Sequence, residues 1–434
     1  MSTTFRNWAG NQVCLPTERA MPRSSDEVAA IVARAAADGV RVKAVGAGHS
    51  FTAAAMTDGV LMSLDHVADV ISVDTERRRV TVGAGMRLAD LNVVLDKAGL
   101  AMPNLGDIAY QSIAGAVATA THGTGAELGN LATTIVGMEI VDGTGQRIRC
   151  DENERADLLR VARVGVGALG IVTEVTLQCV PAFDLHAVET IEVLDDVLDG
   201  FEDNWRGSDH FEFFWMPGAR RCQVKRNNRT TEPRRPQPRL AYLRDKIVAE
   251  NLAFGLVTKV GARFPGAAPR IAKLVDSGVS GRDLVDASHR IFASPRWVRF
   301  TEMEYGIPRN ALPEAMRRVR DLVKRGSEPI FFPIEVRVSA ADDIPLSTAQ
   351  GRDTAWIAAH VHKGGSYETY FQGIERIMAD YDGRPHWGKL HFQDHTTLAP
   401  RYPEWEAFQA VRAELDPAGR FANSYTDRVL GPVA

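Results

Sequence analysis

Three runs of small residues near the start of this chain constrain its fold more than any other feature. Gly46-Ala47-Gly48-His49-Ser50 follows directly on the strand-like segment 40–45, residues 112–125 are small at nearly every position, and 165–171 read GVGALGI. Glycine lets a backbone approach a partner closely, and successive N–H groups in such a turn make a cradle for an anion such as a pyrophosphate. One run alone reads as a tight structural turn. Three runs before position 172 point to one large, extended ligand lined by backbone. With 37 glycines among 434 residues, glycine is only slightly enriched, so its placement carries the information. The first run is not G-x-G-x-x-G, because no glycine stands at the third place, and a nicotinamide-type site is weakly supported.

Around these runs the sequence alternates helix and strand signals. Ser24 with Glu27 three residues later forms a capping-box pattern before Val28, Ile31, Val32 and Ala35 at helical spacing, and Gly39 ends that helix. Strands are expected at 40–45, 70–73 and 80–82, and a helix on Leu88, Leu91 and Leu95 stopping at Gly99. Segments 134–141 and 146–149 read as a hairpin through Asp142-Gly143-Thr144-Gly145, and 170–180 as a strand ended by Pro181. Beyond Pro181, HFEFFW (210–215), 300–305 and 334–338 are rich in aromatic or β-branched residues, as strands are, with helices near 311–325 and 366–381. This pattern predicts an α+β chain of more than one domain. The basic, proline-containing segment 219–239 reads as a solvated loop.

Composition removes several function classes. A formal charge of −4 excludes a strongly basic nucleic-acid binder. Cys14, Cys150, Cys179 and Cys222 are far apart, which argues against a disulfide framework or zinc ribbon. No apolar run approaches the roughly 18–20 residues of a membrane helix. The first residues, MSTTFRNWAGNQVCLP, carry no basic segment followed by an apolar run, so a cytoplasmic protein without a secretory signal is expected.

The polar candidates lie in the C-terminal half. Glu335 and Arg337 are two apart in PIEVRV, so strand geometry puts both on the face opposite Ile334, Val336 and Val338. That face is either solvated and salt-bridged or the wall of a cavity that binds hydroxyls. In His386-Trp387-Gly388-Lys389-Leu390-His391, the lysine can set its charge against an electron-rich ring or a developing oxyanion. His360, His362, His386, His391 and His395 offer a competing metal reading, but their spacing matches no ligand motif, so no metal is expected. No GxSxG or S-x-x-K nucleophile is present.

Together, VGAGHSFT (45–52), DGVLMSLDHV (58–67), ATATHGTG (118–125), GALGIVTEVTL (167–177) and HWGKLH (386–391) resemble the sugar-1,4-lactone oxidoreductases of the vanillyl-alcohol-oxidase superfamily of flavoproteins. DHFEFFW, VRFTEMEY, FPIEVR and GRPHWGK extend the likeness over nearly the whole chain, toward the actinobacterial L-gulono-1,4-lactone dehydrogenases.

The resemblance implies an FAD-binding domain of two subdomains (1–181), a cap domain with a large antiparallel sheet (182–415) and a tail returning to the FAD domain (416–434). It implies FAD held by Val45, Gly46, Ala47, Gly48, His49, Ser50, Gly115, Thr119, Ala120, Thr121, His122, Gly123, Ile171 and His386. His49 matches a histidine that many relatives bond covalently to the flavin. Glu335, Arg337, Lys389 and Ser112 match the catalytic cluster. The implied substrate is a sugar lactone oxidised at C2, with linear polyols as the alternative. The implied electron acceptor is a cytochrome, a quinone or O2. Oxidases of the family commonly carry glycine where this chain has Ala120. A methyl near the flavin is expected to hinder O2, and hence to favour a dehydrogenase.

Overall fold

The computed structural model describes residues 4–238, 281–293, 298–326 and 330–433. Position 239 of the basic segment and 239–280 of the expected cap lie outside the described residues. The first helix, Ser25–Ala37, starts where the sequence places it, with Ser24 Oγ accepting from the Glu27 N–H at 3.2 Å. The Glu27 carboxylate reaches one residue further back than a capping box requires and accepts from the Arg23 N–H at 2.8 Å. Gly39 then takes φ +72°, where a side chain is disfavoured.

Val28, Val32 and Ala35 of this helix are buried in an apolar cluster with Val42, Val60 and Met62 of a three-stranded parallel sheet. Its order is Glu18–Ala20, Val60–Ser63, Val42–Val45. The last strand delivers the chain into the 46–50 turn. A five-stranded antiparallel sheet lies beside it, in the order Arg147–Asp151, Ile135–Val141, Ile171–Gln178, Arg79–Gly83, Val70–Asp74. The expected hairpin is here, Val141 pairing with Arg147. In Ile171–Gln178 burial alternates strictly, with Ile171, Thr173, Val175 and Leu177 inside.

After Pro181 the chain builds one eight-stranded antiparallel sheet. Its order is Arg282–Ala287, Asp184–Val193, Arg221–Thr230, His210–Trp215, Ile334–Ser339, Thr354–His362, Phe300–Pro308, Arg384–Pro385. The helices Leu312–Arg325 and Glu368–Ala379 cover one face, burying Phe211, Phe213, Val336, Ile357 and Tyr305 among others. The expected solvated loop at 219–239 is corrected: Arg221–Thr230 is an inner strand of this sheet. Cys222 and Val224 alternate inward, while Arg226 pairs with Glu192 and Lys225 with Glu212. Its many charges hid a period of two.

The C-terminal segment folds back on the N-terminal half. Helix Trp405–Leu415 buries Trp405, Phe408 and Leu415 in the same core as Leu159 and Ile135. Asn423 Nδ2 donates to the carbonyls of Ala53, Ala54 and Met56 at 2.8–3.1 Å. Among the described residues, no helix is long and apolar enough to cross a membrane.

Candidate active site

The three glycine runs converge on one cleft. Its walls carry Val45, Gly46, Ala47, Gly48, His49 and Ser50 from the first run, Ser112, Gly115, Ala118 and Thr119 from the second, and Gly165, Gly167 and Gly170 from the third. Close approach dictates the glycines. A Cβ on Gly46 would lie 2.1 Å from Ser112 Oγ, and one on Gly170 would lie 2.5 Å from the Ile140 side chain. Lys43, buried beneath the cleft, donates to the Gly167 carbonyl at 3.0 Å and so ties the first run to the third. The residues present suit a long, flat, anionic group: glycine backbone from three segments, apolar side chains such as Leu64, Met138 and Ile140 beside it, and a turn after a parallel strand. His49 stacks on Trp8, with ring centroids 5.1 Å apart. Burial, followed by the charges of Arg87 and Lys389, lowers His49 to about 4, leaving a neutral imidazole at neutral pH.

Gln111 stands in the walls of both this cleft and a second, charged cavity. The cavity is floored by the face of the large sheet opposite the helices. Cross-strand register places Glu212 opposite Arg337, Phe214 opposite Glu335, and Glu302 opposite His360. Period-2 alternation therefore gathers Glu212, Glu302, Glu304, Glu335, Arg337 and His360 from four adjoining strands onto one face. Glu335 and Arg337 are each 8% exposed, so the solvated alternative for this pair is overturned. The turn after Arg384–Pro385 brings in His386 and Lys389, and the second glycine run brings in Thr121 and His122.

Charges in the cavity fall into two groups. Arg337 is held by three carboxylates: Asp107 at 2.6 Å, Glu212 at 2.8 Å, and Glu335. Burial pushes Glu335 up to about 7 against the pull of Arg337, with Asp107 and Glu212 adding to the rise. Arg337 is raised well above its ordinary value: burial opposes its charge, but the three acids outweigh burial. In the second group, Lys389 contacts Glu302 and lies 3.9 Å from Glu304. His360 and His122 stand 3.3–3.4 Å from these two carboxylates through Nε2, while their Nδ1 atoms face the carbonyls of Pro333 and Gly123. A carbonyl only accepts, so each Nδ1 carries a proton. His386 accepts from the Gly388 N–H at Nδ1, and burial lowers it to about 3.

The structure brings Glu335, Arg337 and Lys389 together with Thr121, His122 and His386 in one cavity. Ser112 goes elsewhere: its hydroxyl caps helix Ile113–Ala118 by accepting from the Gly115 N–H at 3.3 Å, and it lines the glycine cleft. Ala120, Gly123 and Ile171 are not in these walls. The Ala120 methyl is buried in the apolar core at φ +56°. Gly123 packs on the backbone of Leu105, and Ile171 lies in the core under the parallel sheet. Of the histidines of the metal reading, His360 and His386 line the cavity, while His391 contacts Tyr425 and His395 the Arg428 carbonyl. Sequence reasoning missed Asp107, Gln111, Glu212, Glu302 and Glu304. The signal for the last two was present in FTEMEY, where glutamates alternate with buried Met303 and Tyr305.

Comparison with known proteins agrees with this architecture. Residues 175–429 match the family model described as D-arabinono-1,4-lactone oxidase, and 16–151 match an FAD binding domain. The chain is 46% identical to L-gulono-1,4-lactone dehydrogenase of Mycobacterium tuberculosis H37Rv, covering 100% of both chains. It is 34% identical to alditol oxidase of a Streptomyces species, covering 99% of this chain and 100% of that one. The crystal structure of cholesterol oxidase from B. sterolicum superposes with a TM-score of 0.81 at 18% identity, over 100% of this chain and 97% of that one, and shares the fold. A glycine-lined cleft opening onto a charged sheet face, in a chain matched along its length, is that of an FAD-dependent oxidoreductase, and the chain belongs to the D-arabinono-1,4-lactone oxidase family.

Proposed function

We propose that this protein oxidises C2 of a sugar-1,4-lactone of the L-gulono type, using FAD in the glycine-lined cleft and passing the electrons to an acceptor other than O2. The observation that carries the reading is the junction at Gln111, where the cleft meets the cavity holding Glu335, Arg337 and Lys389. Bound FAD supplies the two-electron acceptor for the substrate's C–H hydride. The N–H groups of 46–50 and 165–170 hold its anionic part. Arg337, fixed by three carboxylates, orients the ring oxygens of the lactone. Lys389 stabilises negative charge as the hydroxyl carbon becomes a carbonyl. Phe214, Phe300 and Phe332 exclude water from the same walls.

The neutral His49 imidazole is the form able to bond an electrophilic flavin methyl, which supports a covalent link. The reading divides the chain into a cofactor part at 1–181, a substrate part at 182–415 and a returning tail at 416–434; the packing of Trp405 and Phe408 with Leu159 and Ile135 favours a return that begins upstream of 416. A cytoplasmic location belongs to this proposal.

The test is a steady-state comparison of gulono-, galactono- and arabinono-lactones with xylitol, each with a dye and with O2 as acceptor. Lactone turnover with the dye, and little with O2 or xylitol, is expected. Preference for xylitol overturns the substrate, and equal rates with O2 overturn the acceptor. Acid precipitation separates the flavin modes: a yellow pellet, lost in His49→Ala, means a covalent link.

A further inference from the structure

The proposed reaction leaves one question of chemistry open, namely which group takes the proton of the substrate hydroxyl. A buried lysine is a ready general base when its ammonium is destabilised. Lys389 is surrounded in the opposite way. From strand Phe300–Pro308, Glu302 contacts its Nζ and Glu304 lies 3.9 Å away, and both carboxylates are nearly inaccessible. From strand Thr354–His362, His360 stands on Glu302, and His122 stands on Glu304. Each histidine is locked through Nδ1 to a backbone carbonyl. Glu335 faces Lys389 from Ile334–Ser339, His386 and His49 from their own turns, and the Phe51 ring lies 5.6 Å from Nζ.

Register makes this clamp rigid. Glu302 and Glu304 are two apart on one strand, with Met303 and Tyr305 anchored in the core on the other face. The Lys389 N–H bonds the His386 carbonyl at 2.9 Å, and the Leu390 N–H bonds the Glu302 carbonyl at 2.8 Å. The turn carrying the lysine is thus tied to the strand carrying its carboxylates.

We propose that Glu302 and Glu304 are positioning residues that hold Lys389 as a fixed ammonium, so that the hydroxyl proton passes to Glu335 and not to Lys389. This rests on the lactone-oxidation reading. In the step, the C2–H bond breaks with its electron pair leaving as hydride to the bound FAD. The O–H bond breaks with its proton going to the Glu335 carboxylate, and the carbonyl forms between C2 and its oxygen. Lys389 keeps all its protons throughout. Electrostatics point the same way. Burial opposes the Lys389 charge, yet the two glutamates outweigh it and raise Lys389 above the ordinary lysine value, while Glu302 is lowered to about 2, burial opposing and Lys389 and His360 prevailing.

The test uses the FAD-loaded protein and two readouts. The first is sulfite affinity, read by bleaching of the flavin absorbance from about pH 7 to 10, which senses a cation beside the ring without any lactone. The wild type should show no break from a titrating lysine. Glu302→Gln should lose affinity relative to wild type by up to about tenfold per pH unit once its ammonium titrates. In Glu302→Gln combined with Lys389→Arg, where the charge cannot titrate, the break should vanish. A Glu302→Gln profile matching wild type, or a break surviving in the double variant, overturns the clamp. If Glu302→Gln does not retain FAD, Glu304→Gln serves in the same comparison.

The second readout is the pH dependence of kcat. Its rising limb should disappear in Glu335→Gln and persist in Lys389→Arg, and the reverse makes Lys389 the acceptor and overturns the assignment. A protein showing the sulfite pattern but no lactone turnover overturns the function while leaving the clamp intact.

Discussion

The glycine-lined cleft and the charged cavity meet at Gln111 but are built in opposite ways. The cleft recognises its ligand with backbone, so it needs residues that are small and consecutive, and three sequence segments supply its glycine walls, with Leu64, Met138 and Ile140 among the side chains that complete it. The cavity recognises with ionised side chains taken one or two at a time from four strands and two turns. Strain in the cleft is steric and local. Strain in the cavity is electrostatic and shared, since Arg337 is the common partner of Asp107, Glu212 and Glu335. A site made of backbone tolerates loss of a side chain but not gain of one. A site made of paired buried ions behaves the other way.

The largest effect should follow from removing the shared cation. Arg337→Met leaves three carboxylates facing one another and should cost about 3–5 kcal/mol of stability, with activity lost. Urea unfolding checks this, and a cost below about 1 kcal/mol means the carboxylates are less coupled than their distances imply.

Glu335→Gln comes next. It should lower kcat by about 10²–10⁴, the usual worth of a proton-transfer group, measured with saturating lactone and dye. It should also change how stability depends on pH. The folded Glu335 holds its proton up to about 7, above the ordinary glutamate value of 4.5, so its contribution is full below that ordinary value and is lost as pH rises toward 7. Wild type should therefore lose stability relative to Glu335→Gln between roughly pH 5 and 7, by on the order of 1 kcal/mol per unit. Parallel curves in that window remove Glu335 as the group that holds the proton.

In the cleft, Gly170→Ala adds a Cβ 2.5 Å from Ile140 and 2.6 Å from the Val141 carbonyl, at φ +148°. About 2–3 kcal/mol of destabilisation and weaker FAD retention are expected, read by thermal melting and flavin content. Ala120→Gly should have the smallest effect on stability. Relief of φ +56° is offset by a lost buried methyl and a freer unfolded chain, leaving a net change within about 1 kcal/mol. The methyl lies in the core, outside the walls of cleft and cavity, so reoxidation by O2 should stay unchanged in stopped-flow traces. A clear rise would restore Ala120 as an oxygen barrier against its placement in the core.

The comparison also explains what was legible in advance. The hairpin 134–149, the helix at Ser24 and the first glycine turn depend on neighbours within a few residues, so local patterns reveal them. Glu335 and Arg337 were found because they are two apart on one strand. Glu302 and Glu304 have the same spacing, but nothing local tells whether such a face meets solvent or a cavity. Asp107 and Glu212 stand alone in their segments and acquire meaning from Arg337, more than a hundred residues away in the chain. Arg221–Thr230 reads as a solvated loop from sequence because its charges find their partners only on neighbouring strands. The resemblance sets Ser112 with the catalytic cluster, whereas its hydroxyl caps a helix beside Gly46.

By itself the sequence determined that backbone must approach a large ligand in three places and that Glu335 and Arg337 share a strand face, because these follow from glycine's missing side chain and from a period of two. Tertiary structure alone decided that this face is buried, which carboxylates surround Arg337 and which surround Lys389. Those outcomes depend on strand order and register, and they set the local dielectric and the distances between charges, which no single segment contains.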